Sequence, residues 1–427
     1  MTNTTNFDIA TQCVKGTYQA GNTEPMVAPI IQSTTYRYDS SDSLAAAFNL
    51  EQATPIYTRI GNPTLSVLEE KLALLEKGIA AVTTASGQAA VFYSIANIAQ
   101  AGDHIIALSN LYGGTYTLLS GILKQLGIKV TFVEPSASVA EIVGISQENT
   151  KLIFAETIGN PCLDVLDFEN VSRAAKQIDI PLIVDNTFAT PYLCNPKDFG
   201  ANIIVHSTTK YLDGHATSLG GVVIDCGNFN WNNGKFPGLS EPNEAYHDLI
   251  YTETFGDAAY AVKLRTGLLR DIGATLAPFN AFLTNLGTET LHLRMERHSS
   301  NALAVAQFLE KHPKVEWVNY PHLASSPSYD LAKKYLSRGG SGVVSFGIKG
   351  GSEAAKKFID TMQLAMLVTH VGDLRTFAIH PASTTHRQLS DEALEKAGIT
   401  PNLIRYNVGI EHIDDILRDI EQTLSQI

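Results

Sequence analysis

Four cysteines in 427 residues, Cys13, Cys162, Cys194 and Cys226, are too few for a disulfide framework and too far apart for a metal-type spacing. Reduced thiols and no bound metal are expected. Although 44% of the residues are hydrophobic, no apolar run is long enough to span a bilayer, so no membrane partner is expected. Positive charge is also short. The 31 Lys and Arg against 43 Asp and Glu leave a net charge of −12, and no basic run could neutralise the phosphates of a nucleic acid. Residues 1–8 lack a basic n-region and an apolar h-region, so no secretory signal is read and a cytoplasmic location is the expectation. P-loop, dinucleotide fingerprint and Gly-x-Ser-x-Gly elbow are all missing, which removes common rival chemistries.

What is present is an alternation. Short apolar runs at 105–108, 129–133, 152–155, 182–184 and 203–205 are separated by helix-length segments. They read as buried strands of a mostly parallel sheet covered by helices, an α/β fold. Before them, residues 1–60 lack sustained periodicity and carry Pro25, Pro29 and Pro55, as an extended arm would. A large domain over 61–275 follows, opening with a helix at 65–75 that Gly78 stops. A smaller α/β domain is expected over 276–427. It has a helix at 301–310, strands at 315–318 and 343–346, a helix from Ser352, and a last helix with Ile413, Ile416, Leu417, Ile420 and Leu424 on one face. The Gly, Asn and Pro-rich stretch 227–243 reads as a long surface loop.

In open parallel sheets, ligands bind beyond the carboxyl ends of the strands. Those ends carry Glu156, Asp185, and then Ser207, Thr209 and Lys210, with Lys210 lying 25 residues after Asp185. An amine, an acid and hydroxyls at one sheet edge suit pyridoxal 5'-phosphate: Lys210 for a Schiff base, Asp185 for the pyridine nitrogen, hydroxyls for the phosphate. A lysine is more often a solvated surface residue, but Lys210 follows a fully apolar strand. Ser86, Gly87 and Gln88 precede an apolar helical stretch and would form an anion site at its N-terminus, or simply a serine cap. Tyr112, after a strand and a turn, could stack on a planar ring or pack within its own domain. Tyr57 and Arg59 stand two apart and could present a phenol and a guanidinium to one phosphate. Their place in the arm hints at reach into a neighbouring subunit. His380 and His386, six apart, match no metal spacing and read as structural or site-lining.

Taken in order, the motifs resemble the Cys/Met-metabolism pyridoxal-phosphate enzymes of fold type I, which include cystathionine synthases and lyases, methionine γ-lyases and sulfhydrylases. The resemblance runs through Ser33-Thr34-Thr35-Tyr36, Tyr57-Thr58-Arg59-Ile60-Gly61-Asn62-Pro63-Thr64, Ser86-Gly87, Leu111-Tyr112-Gly113-Gly114-Thr115, Asn160-Pro161, Asp185-Asn186-Thr187, the Lys210 segment and His380-Pro381-Ala382-Ser383. It implies a Schiff base on Lys210, Asp185 on the pyridine nitrogen and Tyr112 on the ring. Gly87, Gln88, Ser207 and Thr209 would hold the phosphate, Ser86 and Asn160 would line the cofactor site, and Tyr57 and Arg59 would complete a neighbour's phosphate site in a homotetramer. Arg405 matches the arginine that binds the substrate α-carboxylate. The segment 234–242, the run 291–298 and Gly114 look like the sulfhydrylase branch, which implies exchange of the acetate of an O-acetylhomoserine for sulfide. Cystathionine γ-synthesis, O-acetylserine sulfhydrylation and γ-elimination are rivals on the same scaffold, and a noncatalytic binding module is a rival of another kind. One departure stands out: His370, before Val371-Gly372-Asp373, occupies a position where Asn or Ser is expected, and bears on carboxylate recognition.

Overall fold

Strands form where the apolar runs predict them. The computed structural model describes residues 6–385, 387, 394 and 398–427. Its larger sheet has seven strands: β1 (Ala80–Thr84), β2 (His104–Leu108), β3 (Lys129–Val133), β4 (Thr150–Glu156), β5 (Leu182–Asp185), β6 (Ile203–His206) and β7 (Gly221–Asp225), in the order β1-β7-β6-β5-β4-β2-β3. Only β7 runs against the rest, pairing antiparallel with both β1 and β6. Leu152, Ile153, Phe154 and Ala155 are all fully buried, the two-sided burial that dictates an unbroken apolar run. Strands β1 and β7 escape the sequence reading because one is built of Ala and Thr and the other follows a glycine pair.

Helix packing follows from local signals. Helix α1 (Ile9–Lys15) seats Ile9 and Cys13 in the same core as Leu65, Leu68 and Leu72 of α3 (Pro63–Leu75). A second arm helix, α2 (Ser41–Phe48), lies between them in sequence. Two short helices therefore interrupt the arm that the sequence reads as extended. Asn62 caps α3, accepting from the Thr64 amide at 2.9 Å, with Pro63 at the first helical position where its missing N–H costs nothing. Helix α4 (Gly87–Ala96) begins at the Ser86 cap on the opposite side of the sheet.

After β7 the stretch 227–243 departs from expectation. It is not merely a surface loop: Trp231, Phe236 and Leu239 are buried, and Trp231 stacks on Tyr260 at 5.2 Å between centroids. Glycine and asparagine content masks three large apolar anchors, which pin the segment to the α4 side of the core. Farther on, α5 (Pro278–Glu289) packs on α3, and α6 (Leu291–Lys311) buries Leu291 and Met295 in the first core but Ala302, Val305 and Leu309 in another. That other core belongs to the second sheet, β8 (Val315–Asn319), β9 (Val343–Ile348), β10 (Met366–Leu367), β11 (Phe377–Ile379) and β12 (Leu403–Asn407), ordered β10-β11-β12-β9-β8. It is covered by α7 (Gly351–Thr361) and α8 (Ile413–Ser425), whose Ile416, Ile420 and Leu424 are buried as the apolar face predicts. Among the described residues no helix is long and apolar enough to cross a membrane. Among the described residues the four cysteines form no disulfide.

Candidate active site

Parallel register brings the first pair of acids together. Glu156 ends β4, Asp185 ends β5, and the two residues are direct neighbours in the ladder. Burial pushes both carboxyls up, and for Glu156 the charge of Asp185 adds to it. Two side-by-side acids in a buried edge call for a cation. The Thr187 amide donates to Asp185 at 2.9 Å, and the Tyr112 amide donates to Glu156 at 2.8 Å, so the acid pair also fixes the start of the Tyr112 turn. Glu156 is the residue that sequence reasoning undervalued; its signal was the same strand-end position that singled out Asp185.

One strand over, α4 meets the end of β6. A Cβ placed on Gly87 would stand 2.6 Å from the Ser207 Cβ, so only glycine allows the helix terminus and the strand end to approach this closely. Ser86 accepts from the Ala89 amide at 3.2 Å, leaving the amides of Gly87 and Gln88 at the open first turn. The Ser207 amide donates to the Thr187 hydroxyl at 2.9 Å, and the Thr209 hydroxyl lies 3.1 Å from both the carbonyl and the amide nitrogen of Gly220. Helix dipole, free amides and nearby hydroxyls make a cradle for a dianion.

Lys210 closes the third side. Burial, with the Arg405 charge second, lowers its amine from 10.5 to about 8. Its Nζ is 3.2 Å from Nδ1 of His370, whose own ring is pushed down to about 4 by burial and then by Lys210, and so is neutral. Gly372, at φ 81°, holds the His370 segment against the lysine: a Cβ there would be 2.5 Å from the Tyr211 nitrogen. Buried Arg405, on β12, donates to the Asn160 Oδ1 and to the His370 carbonyl, each at 3.2 Å, while its Nε is buried without a partner. Burial draws the guanidinium down to about 10. The half-exposed Tyr112 ring stands beside Gly114 and Gln88 and interacts with Arg405.

Lys210, Asp185, Ser86, Gly87, Gln88, Ser207, Thr209, Tyr112, Asn160, His370 and Arg405 thus share one sheet edge and its facing strand. Tyr57 and Arg59 lie apart from it. Arg59 stacks over Tyr57 at 5.1 Å and donates to the Arg270 carbonyl, and Tyr57 bridges to Thr35. His380 is buried and bonded to Ser383 and the Pro401 carbonyl, both at 2.8 Å, a structural placement; His386 lies outside the described residues.

The residues fit a group with three demands: an aldehyde for a low-lying lysine amine, a basic ring nitrogen for paired acids, and a phosphate for a helix terminus. Pyridoxal phosphate makes all three, and the class is that of fold type I pyridoxal-phosphate enzymes. More narrowly, the chain belongs to the family described as Cys/Met metabolism PLP-dependent enzymes, whose model matches residues 10–425. It is 50% identical to the O-acetyl-L-homoserine sulfhydrylase of Leptospira meyeri, covering 95% of this chain and 93% of that one. It is 47% identical to the homocysteine synthase of Schizosaccharomyces pombe, covering 94% of each. The crystal structure of an O-acetylhomoserine (thiol)-lyase from Campylobacter jejuni superposes with a TM-score of 0.95 at 40% identity, covering 98% of this chain and 100% of that one. That structure contains N'-pyridoxyl-lysine-5'-monophosphate.

Proposed function

We propose that the protein exchanges the acetate of O-acetyl-L-homoserine for sulfide, giving L-homocysteine and acetate. The observation that carries this reading is the convergence on His370: its ring touches the Lys210 amine and its carbonyl is held by Arg405. An α-amino acid bound by its carboxylate at Arg405 would have its Cα within the sweep of Lys210. Bound pyridoxal phosphate would link the substrate amine and take up the electron pair left on Cα. Lys210, freed from the cofactor, would remove the Cα proton and then move a proton at Cβ, so that acetate leaves Cγ and sulfide replaces it. Tyr112 would cover the ring and help to carry protons. The names of the relatives support this reaction over its rivals. Supplying O-acetylhomoserine with sulfide, with cysteine, or with no nucleophile tests it: homocysteine from sulfide at the highest rate is expected. Cystathionine as the main product, or 2-oxo acid regardless of nucleophile, would overturn it.

Lysine chemistry sets a pH dependence. Only the neutral amine attacks an aldehyde, so uptake of pyridoxal phosphate by the cofactor-free protein is expected to rise through about pH 8 and level off above it. Absorbance against pH measures this. A midpoint near 10.5, the ordinary lysine value, would show that burial does not act on Lys210.

The same reading assigns the chain an arm over 1–60, a cofactor-binding domain over 61–275 and a smaller domain over 276–427. Exposure of Met26, Val27, Ile30, Phe48 and Tyr57 on the arm supports contact with another subunit. Tyr57 and Arg59 would then complete the phosphate site of a neighbour, in a homotetramer built from two dimers. Chains carrying Lys210→Ala and Arg59→Ala are each expected to be inactive alone and to regain about one quarter of wild-type activity when mixed subunits form, since shared sites create one intact site per mixed dimer. An active Arg59→Ala variant would place Arg59 outside the site, and failure of mixed dimers to regain activity would place it in its own subunit's site.

A further inference from the structure

Behind the sheet edge lies a buried acid and imidazole that the steps above do not use. Glu76 follows α3 and His206 ends β6; His206 Nε2 is 2.7 Å from Glu76 Oε1, with side chains 1% and 0% exposed respectively. The same Oε1 accepts from Nδ2 of Asn186 at 2.7 Å, and Oε2 accepts from Nδ2 of Asn195 at 3.2 Å. Asn186 is oriented by the Thr157 hydroxyl, which donates to its Oδ1 at 2.7 Å. Both oxygens of Glu76 accept from amide NH₂ groups, which favours the carboxylate, and His206 Nε2 then donates to it. A carboxylate with no exposure needs an opposite charge beside it, and His206 is the group in contact that can supply one. The His206 Nδ1 is buried without a partner, so Glu76 is the ring's single anchor.

This pair stands directly behind the acids of the site. Strands β5 and β6 are adjacent, with Asp185 opposite Val205, and His206 is the next residue, on the other face. Asn186, bonded to Glu76, is the residue after Asp185. Facing Asp185 are Glu156, which repels its charge, Thr187, which donates to it, and His206, which lowers its pKa against the pull of burial. Of the three, only His206 brings positive charge.

We propose that Glu76 and His206 are positioning residues for Asp185: the imidazolium, anchored by Glu76, keeps Asp185 ionised so that it holds a proton on the cofactor's pyridine nitrogen. This rests on the role given to Asp185 above. The test is the ¹⁵N chemical shift of the ring nitrogen of ¹⁵N-labelled pyridoxal phosphate bound to the full-length protein. Wild type is expected to hold that nitrogen protonated from about pH 6 to about pH 9. In His206→Gln and Glu76→Gln its titration midpoint is expected to fall by about one pH unit or more. In both variants kcat is expected to drop about tenfold while KM changes less than about threefold. An unprotonated nitrogen in wild type would overturn the role of Asp185 itself; protonated wild type with unshifted variants would overturn this inference alone. Should the variants not fold, ¹⁵N-histidine labelling of the wild-type holoenzyme decides: His206 protonated on both nitrogens is expected, and a neutral ring would overturn the proposal.

Discussion

Lys210→Ala is expected to lose at least about 10⁴-fold in turnover and to lack the absorption band near about 420 nm of a lysine-bound cofactor. Both losses come from one atom. The amine is placed by a sheet edge and by Gly372, which brings the His370 segment against it, and burial keeps it near the neutral form at about 8. Its hydrogen bond runs to a neutral imidazole rather than to a carboxylate, so the truncation breaks no ion pair that stabilises the fold. Near-wild-type thermal stability is therefore expected beside lost chemistry. A yellow, active variant would contradict the account, and an unaltered spectrum in the wild type on adding pyridoxal phosphate would favour the noncatalytic module.

Arg405→Leu is expected to lower kcat/KM by about 10²- to 10³-fold, mostly through KM, since two charge-assisted hydrogen bonds to a carboxylate contribute roughly 3–4 kcal/mol together. Two of its nitrogens already bond to Asn160 and the His370 carbonyl, which fix the plane of the guanidinium. Lysine at this position would keep the charge but lose that fork, so Arg405→Lys is expected to recover only part of the loss. Steady-state kinetics with O-acetylhomoserine measure both variants. Unchanged KM in Arg405→Leu would place the carboxylate elsewhere.

The Asp185 and Lys210 edge was legible in the sequence because fully buried strands read as unbroken apolar runs, and the first polar residue after each run marks a strand end. Gly87 was legible as a helix start, though not its fit against Ser207, which depends on two elements 120 residues apart. Contacts across the two sheets had no local signal. His370 drew notice only as a departure from a family pattern, and its touch on Lys210 spans 160 residues. The Glu76 and His206 pair spans 130 and was invisible until the fold joined them. In the stretch 227–243, composition misled: Gly and Asn predict a loop, but Trp231, Phe236 and Leu239 decide where it packs. Strand β7 was missed because its short apolar run, Val222-Val223-Ile224, directly follows Gly220 and Gly221.

The central claim is that sulfide enters at Cγ as acetate leaves. Incubating the cofactor-loaded protein with O-acetyl-L-homoserine and ³⁴S-labelled sulfide tests it in one mass spectrum. Labelled homocysteine and acetate formed in equal amounts are the result the account predicts; acetate released without labelled homocysteine, or no acetate at all, would contradict it.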